Sequence, residues 1–484
     1  MTLEQFVPFV PEIALAVAAL AVLLAGIPMG RKAPRALALL SVAAMAVSAI
    51  LVVLYATPSA GPEVILGGML SVDGFGVFFK LLFLLAGAIT LLMGVGYVVR
   101  AGYGYGEFAS LVLFATVGMM VMASGANLAS LYVGLELMAL SVYILVGYFK
   151  LEVKSNEGAV KYFVLGALSS AILLYGISLV YGGLGTLELG AIRDALAAGS
   201  PSGRVVGLGI VLVSFGMLFK VAAVPFHVWT PDAYEGAPTP ITAFISVAPK
   251  AAAFAMFLRL FLGAFRPAIG QWHGVLWVAA AATMIYGNLA ALTQDNVKRM
   301  LAYSSIAHAG YALLGIVAAN AMGAWSLLLY MLIYTFMNLG AFGFVALLES
   351  RGYAGELVTD YAGLAKRAPA AAAGMLILML ALAGIPPTGG FMGKLYVFSA
   401  AVQAGYVWLV VIAVIMSAVS LYYYFRIVVQ MYLHDGDGSE LAALVRDRWL
   451  EIGIAACVVV VLILGVWPAP ALGWAQAGLA ALGF

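Results

Sequence analysis

Apolar runs of about 20 residues follow one another along nearly the whole of this 484-residue chain, joined by short connections. A run of that length crosses the hydrocarbon core of a bilayer as one α-helix. Irregular backbone is not tolerated against lipid, so the runs leave few alternatives to a bundle of spanning helices. Composition agrees, with 65% hydrophobic and 9% charged residues, against about 25% charged in a soluble domain. Hydropathy places about 14 helices at 12–29, 36–55, 74–98, 107–123, 127–148, 159–183, 205–229, 239–264, 273–293, 300–318, 322–348, 369–402, 405–432 and 449–467. A last apolar piece, 470–484, is expected at the membrane interface. The loop at 184–204 has the mixed character of a short surface helix. The chain therefore reads as an all-α membrane protein with a single polytopic domain, 1–484.

The N-terminal sequence MTLEQFVPFVPEIALAV has no basic stretch and no small-residue cleavage site, so its apolar run is expected to be a retained span. With that end outside, the inner connections hold Arg31, Lys32, Arg35, Arg100, Lys150, Lys154, Lys298, Arg299, Arg351, Lys366, Arg367, Arg446 and Arg448. The outer connections hold only Arg193, Arg204 and Arg266. This bias predicts both termini on the outer side. The net charge of +2 says little about partners, and nothing points to nucleic acid. A single cysteine, Cys457, excludes an internal disulfide and a cysteine-held iron–sulfur cluster. His227, His273, His308 and His434 have no metal-ligand spacing, so no metal and no redox centre is expected in this chain.

Five lysines and one glutamate fall inside the apolar stretches: Lys80, Lys161, Lys220, Lys250, Lys394 and Glu136. An ionisable group at bilayer depth costs roughly 2.5–3.5 kcal/mol on insertion scales. The four central ones (Glu136, Lys220, Lys250 and Lys394) would together cost on the order of 10–14 kcal/mol without partners or water. Such groups mark pathways for charge.

Lys220 lies five residues before Pro225, which disturbs the helix around it. Loss of water favours releasing the ammonium proton and a nearby carboxylate favours keeping it. A relay lysine and a lysine in a permanent ion pair are the two readings. Glu136, the one acid in mid-span, is expected to pair with a buried base, Lys220 being the choice. Lys250 follows Pro249, which frees the carbonyl of Ile245; a lysine bonded to that carbonyl is the plainer reading. Lys394 follows GIPPTGG (384–390), which no regular helix can accommodate although apolar sequence flanks it. Interrupted spans beside charged residues point to a transport site.

His308, near Ser304, Ser305 and Tyr311, reads equally as a proton shuttle or a core histidine. His227 is placed near the inner end of helix 7, with access to bulk water. Lys161 and Glu157 form an i,i+4 pair that lines a possible inlet. Lys80, Arg259 and Arg426 are expected to snorkel outward. The stretch Tyr422–Phe425 is expected to serve packing or an interface belt.

Three long motifs carry a resemblance. FKVAAVPFHVWTPDAYEGAPTPITAFISVAPKAA (219–252), NVKRMLAYSSIAHAGY (296–311) and LAGIPPTGGFMGKLYVF (382–398) resemble the antiporter-like, proton-pumping membrane subunits of respiratory complex I. WTPDAYEGAPTP (229–240) and VKYFVLGALSSAILLYG (160–176) point to one branch of that family. The resemblance covers about residues 70–430. It implies two inverted five-helix repeats, helices 4–8 (107–264) and 9–13 (273–432), with helices 7 and 12 broken. Helices 1–3 (about 1–100) would precede them and a C-terminal helix (449–484) would follow. It also implies a proton relay of Glu136, Lys220, Lys250, His308 and Lys394, with His227 and Lys161 secondary. Protons would move from Lys220 through Lys250 and His308 to Lys394, driven by quinone reduction elsewhere. Flavin, iron–sulfur clusters and quinone are implied in partner subunits, and adjacent antiporter-like subunits as neighbours. A subunit of a multisubunit sodium/proton antiporter and a purely structural membrane scaffold are the rival readings.

Overall fold

A computed structural model describes residues 3–29, 32–58, 61–199, 203–350, 355–436 and 447–479. Arg31, Arg351 and Arg446 lie outside these residues. Thirteen of the described helices are long and apolar enough to cross a membrane. They are α1 (Gln5–Met29), α2 (Pro34–Tyr55), α3 (Gly74–Arg100), α4 (Tyr105–Ser124), α5 (Leu128–Val146), α6 (Val153–Leu184) and α7a (Gly203–Lys220). After them come α8 (Thr239–Ala264), α9 (Arg266–Leu292), α10 (Val297–Val317), α11 (Ala321–Glu349), α13 (Val407–Leu433) and α14 (Arg448–Val466). Two shorter pieces, α12a (Pro369–Ala383) and α12b (Gly389–Gln403), make up the remaining span. The fold is an all-α membrane bundle, and the expected number of spans holds.

The most apolar 18-residue stretches of α8 and α11 are wholly buried and that of α10 nearly so, whereas only about a third of the corresponding stretches of α1, α2, α13 and α14 is covered. The polar residues of α8, α10 and α11 therefore lie on the axis, and the outer helices present apolar side chains to lipid. Close packing comes from small residues. A Cβ at Gly118 of α4 would stand 2.5 Å from the Met138 nitrogen of α5, so only glycine permits that approach. The 184–204 loop carries the expected short helix, Leu189–Ala198. The hairpin β1 (Glu63–Ile65) and β2 (Leu70–Val72), which hydropathy did not indicate, precedes α3.

Two stretches of five spans share local devices. Asn127 caps α5 by accepting from the Ala129 amide, and the chain after α6 pairs with that cap through Leu128 N–H to Leu187 O and Leu189 N–H to Ala126 O. Asn296 caps α10 by accepting from the Arg299 amide, and the chain after α11 pairs with it through Val297 N–H to Glu356 O and Val358 N–H to Asp295 O. Strict alternation of the spans puts these two matching devices on opposite membrane faces.

Both interrupted helices end alike. Ala223 N–H reaches Leu218 O and Ala222 N–H reaches Phe219 O; Ile385 N–H reaches Leu380 O and Gly384 N–H reaches Ala381 O. This termination needs a left-handed residue one past the cap. Gly384 supplies it at φ +85°, but at the other break Ala222 holds φ +61°, which costs an L-residue about 1–2 kcal/mol. The second piece of helix 7, α7b (Trp229–Gly236), follows that break.

Several polar residues lie where the sequence did not place them. Lys80 does not snorkel. Its Nζ is 2.7 Å from Glu12 Oε1, with the two side chains 6% and 1% exposed. Arg259 is equally covered, because its Nη2 donates to both carboxylate oxygens of Asp73 and its Nε to the Ala123 carbonyl inside the bundle. Arg426 reaches Asp295 and the carbonyls of Leu292 and Gln294 at the end of α9. The last described helix, α15 (Ala469–Leu479), packs on α3 and α11, with the Trp474 ring 4.4 Å from Phe78, instead of lying loose at an interface.

Candidate functional site

The ionisable residues singled out in the sequence sit on successive inner elements: Glu136 on α5, Lys220 on α7a, Lys250 on α8, His308 on α10 and Lys394 on α12b, all but Glu136 buried. Lys220 ends α7a, where the helix breaks, and its Nζ donates to the hydroxyls of Tyr143 on α5 (3.5 Å) and Ser170 on α6 (3.4 Å). Both distances are at the long edge of hydrogen bonding. Glu136 lies two turns before Tyr143 on α5 and within electrostatic reach of Lys220. It does not form the expected contact pair: among the described residues no ion pair within 4.0 Å involves it, and its buried Oε1 has no hydrogen-bond partner. Tyr143 lies near both acid and base, and it was not foreseen because a tyrosine in an apolar run reads as packing.

Lys250 is held by α10. Its Nζ donates to the Ser305 carbonyl (3.0 Å) and to Ser305 Oγ (2.5 Å), and it lies 5.7 Å from the centre of the Tyr234 ring. The plainer expectation, a bond to the Ile245 carbonyl, fails; the Tyr234 hydroxyl approaches that carbonyl instead, at 3.5 Å. Ser305 Oγ also accepts from Tyr334 OH (2.8 Å), and Tyr334 accepts from Asn338.

His308 follows Ser305 by one turn of α10, on the same face. One ring nitrogen meets Tyr330 OH at 2.7 Å and the other meets Tyr424 OH at 3.3 Å, while the ring stacks on Tyr334 at 5.2 Å. Tyr424 also meets Ser304. It therefore belongs to the site and not to an interface belt; Tyr422 and Phe425 are the exposed members of that run. Every group on His308 can donate or accept, so the histidine is wired into a hydroxyl network, with no carboxylate fixing its charge.

Lys394 reaches back from α12b across the break. Its Nζ donates to the carbonyls of Leu382 (3.0 Å) and Ala383 (2.9 Å) and to Ser417 Oγ of α13 (2.8 Å). The first two are carbonyls that the end of α12a leaves without helical partners, and the negative end of that helix favours a cation. A cleft of about 630 Å³ has Lys394 and Ser417 in its wall and runs to Gln403 at the end of α12b.

The secondary residues separate. Lys161 pairs with Glu157 as expected (2.6 Å), and equally with Asp232 of α7b (2.6 Å). Asp232 and Glu235 both receive Arg299 of α10, so α6, α7b and α10 are tied at one end of the bundle. His227 lies in the turn between α7a and α7b. It is buried, not open to bulk water, because Tyr286 covers its ring at 4.5 Å.

Residues 125–420 match the family described as NADH:quinone oxidoreductase/Mrp antiporter, TM. The chain belongs to that family, in its subunit N branch. The curated NADH-quinone oxidoreductase subunit N of Trichlorobacter lovleyi is 50% identical over 366 residues, 75% of each chain. That of Rhodospirillum rubrum is 41% identical over 100% of this chain and 99% of its own. Among solved structures, a chain of respiratory complex I from Thermus thermophilus shares 33% identity, with a TM-score of 0.80 over 97% of this chain and 100% of that one. A chain of the Mrp complex from Dietzia sp. superimposes with a TM-score of 0.84 over 100% of this chain and 98% of its own, at 24% identity. The last shows a shared fold only. These relatives settle the branch to which 229–240 and 160–176 pointed.

Proposed function

We propose that this chain is a proton-translocating membrane subunit of an NADH:quinone oxidoreductase, seated in a bacterial inner membrane with both termini outside. The single observation that carries this reading is the buried set Lys220, Lys250, His308 and Lys394, in which hydroxyls and backbone carbonyls, and no contact carboxylate, receive each group. A base held by hydroxyls can give up its proton and take another, whereas one locked as Lys80 is with Glu12 cannot do so cheaply.

In this reading Glu136, Lys220, Lys250, His308 and Lys394 form the relay, with Lys161 and His227 at its inner approach. Glu136 acts on Lys220 through space and through Tyr143. Protons pass from Lys220 to Lys250, then by Ser305 and His308 to Lys394, and leave through the cleft beside α12b. The paired devices of the two five-span stretches support two inverted repeats, 107–264 and 273–432, with 1–100 and 449–484 as flanking helices. The chain holds no flavin, iron–sulfur cluster or quinone; these belong to partner subunits, whose electron transfer drives the relay, and adjacent antiporter-like subunits are its neighbours.

The test is NADH-driven proton uptake by inverted membrane vesicles carrying the intact complex. Neutralising Glu136 as Glu136→Gln is expected to leave assembly intact and to lower protons taken up per NADH oxidised. A scaffold would lose assembly instead. Proton uptake that follows an imposed sodium gradient without NADH would favour a sodium/proton antiporter.

A further inference from the structure

Unlike Glu12 and Asp73, which are closed onto a cation, one largely covered carboxylate outside the relay is held by hydroxyls. Glu349, at the end of α11, has a side chain 13% exposed. Its Oε2 accepts from Tyr97 of α3 (2.7 Å) and from Thr239 of α8 (2.6 Å). Lys298 of α10 is 4% exposed, yet its Nζ stands 4.0 Å from Glu349 Oε1 and donates instead to the Ala237 carbonyl at 3.0 Å. A structural ion pair in this bundle closes to 2.7 Å, as Lys80 and Glu12 do. Glu349 is held by hydroxyls, with an ammonium nearby but not bound.

Thr239 begins a stripe. Thr239, Thr242, Ser246 and Lys250 are all buried and fall at spacings of three, four and four along α8, which is one face of a helix. The stripe rises about 16 Å along α8 from Thr239, which binds Glu349, to Lys250, at 1.5 Å per residue. The hydroxyls of Thr242 and Ser246 donate to the carbonyls of Tyr234 and Ala243, which leaves their lone pairs free to accept. At the Lys250 end, Tyr234 OH stands 3.4 Å from Ser305 Oγ, and Asn338, which donates to Tyr334 behind Ser305, has a buried Oδ1 without a partner. A buried polar atom of that kind is ordinarily satisfied by water.

We propose that Glu349 and Lys298 form an inlet that feeds Lys250 directly along the Thr239–Thr242–Ser246 face of α8, beside the route through Lys220. This rests on the relay reading. The Glu349 carboxylate takes a proton at the inner end of the bundle. Each hydroxyl and bridging water along α8 accepts one proton and passes one on, and the neutral Lys250 amine receives the last. Lys298 keeps the carboxylate poised to ionise again after the proton leaves. One chain thus has two inner approaches, one in each five-span stretch's territory, meeting at Lys250.

The test uses the intact complex in inverted vesicles and compares Glu349→Gln, Glu349→Asp, Thr239→Val and Lys250→Met. The glutamine keeps the bonds from Tyr97 and Thr239 and removes only the titrating group. The expected result is that Glu349→Gln lowers proton uptake per NADH oxidised by part of the loss that Lys250→Met causes, that Glu349→Asp restores most of it, and that the double variant is no worse than Lys250→Met alone. If Glu349→Gln does not assemble, Thr239→Val reads the same route without a charge change. A wild-type ratio in Glu349→Gln or Thr239→Val, with Lys250→Met impaired, overturns the inlet and leaves the relay standing. A wild-type ratio in Lys250→Met overturns both.

Discussion

The two broken helices end in the same backbone motif but hold their lysines differently. Lys220 precedes its break and touches two hydroxyls at 3.4 and 3.5 Å. Lys394 follows its break and places three donors on three acceptors between 2.8 and 3.0 Å, two of them carbonyls of the preceding half-helix. An ammonium has three donors, so Lys394 is saturated and Lys220 is not. Where Lys394 would fall if the breaks were superimposed on Ala222 and Gly384, helix 7 has Asp232, bound to Lys161 and Arg299. The same fold element thus serves two tasks. One break leaves a lysine loosely held beside an acid, suited to being loaded and emptied. The other anchors a lysine at a helix end beside a cleft of about 630 Å³, suited to final release.

The sharpest way to break this comparison is to remove each lysine and follow stability. Lys394→Met strands two buried carbonyls, each costing roughly 1–3 kcal/mol, and thermal inactivation of the complex is expected at clearly lower temperature. Lys220→Met strands only hydroxyls that can turn elsewhere, and its inactivation temperature is expected near that of wild type. Equal losses would mean that the two lysines are held alike.

A smaller effect separates the two turns. Gly384→Ala forces a left-handed residue to carry a Cβ and is expected to destabilise by about 1–2 kcal/mol. Ala222→Gly relieves that same strain and is expected to stabilise by up to about 1 kcal/mol. Opposite signs in thermal inactivation sharpen the claim that Ala222 is strained, and equal signs refute it. The smallest expected change comes from the hydroxyls. Ser417→Ala removes one short bond from Lys394 and is expected to cost about 1 kcal/mol, whereas Ser170→Ala, which gives up a 3.4 Å contact to Lys220, is expected to leave stability within about 0.5 kcal/mol.

Much of this architecture was legible in the residues. Runs of apolar sequence fix the spans, because each must be long enough to cross lipid. Pro225 and the GIPPTGG stretch fix the breaks, because neither can continue a helix. What the residues could not reveal is which helices meet. Lys80 has its acid 68 positions earlier in Glu12, at a helix start that looks harmless in sequence. Lys250 finds Ser305 across the bundle and not its own freed carbonyl. The tyrosines at 143, 330, 334 and 424 read as apolar filling until the fold turns their hydroxyls onto Lys220, Ser305 and His308. Arg259 and Arg426 looked like snorkelling groups because their partners, Asp73 and Asp295, are distant in the chain.

The central claim is that a loosely held Lys220 carries protons through this chain. Its most direct test is the number of protons taken up per NADH oxidised by inverted vesicles with the intact complex, wild type against Lys220→Met. The account predicts a lower ratio, with normal assembly and normal electron transfer from NADH to an artificial acceptor. An unchanged ratio in fully assembled Lys220→Met complex would contradict it.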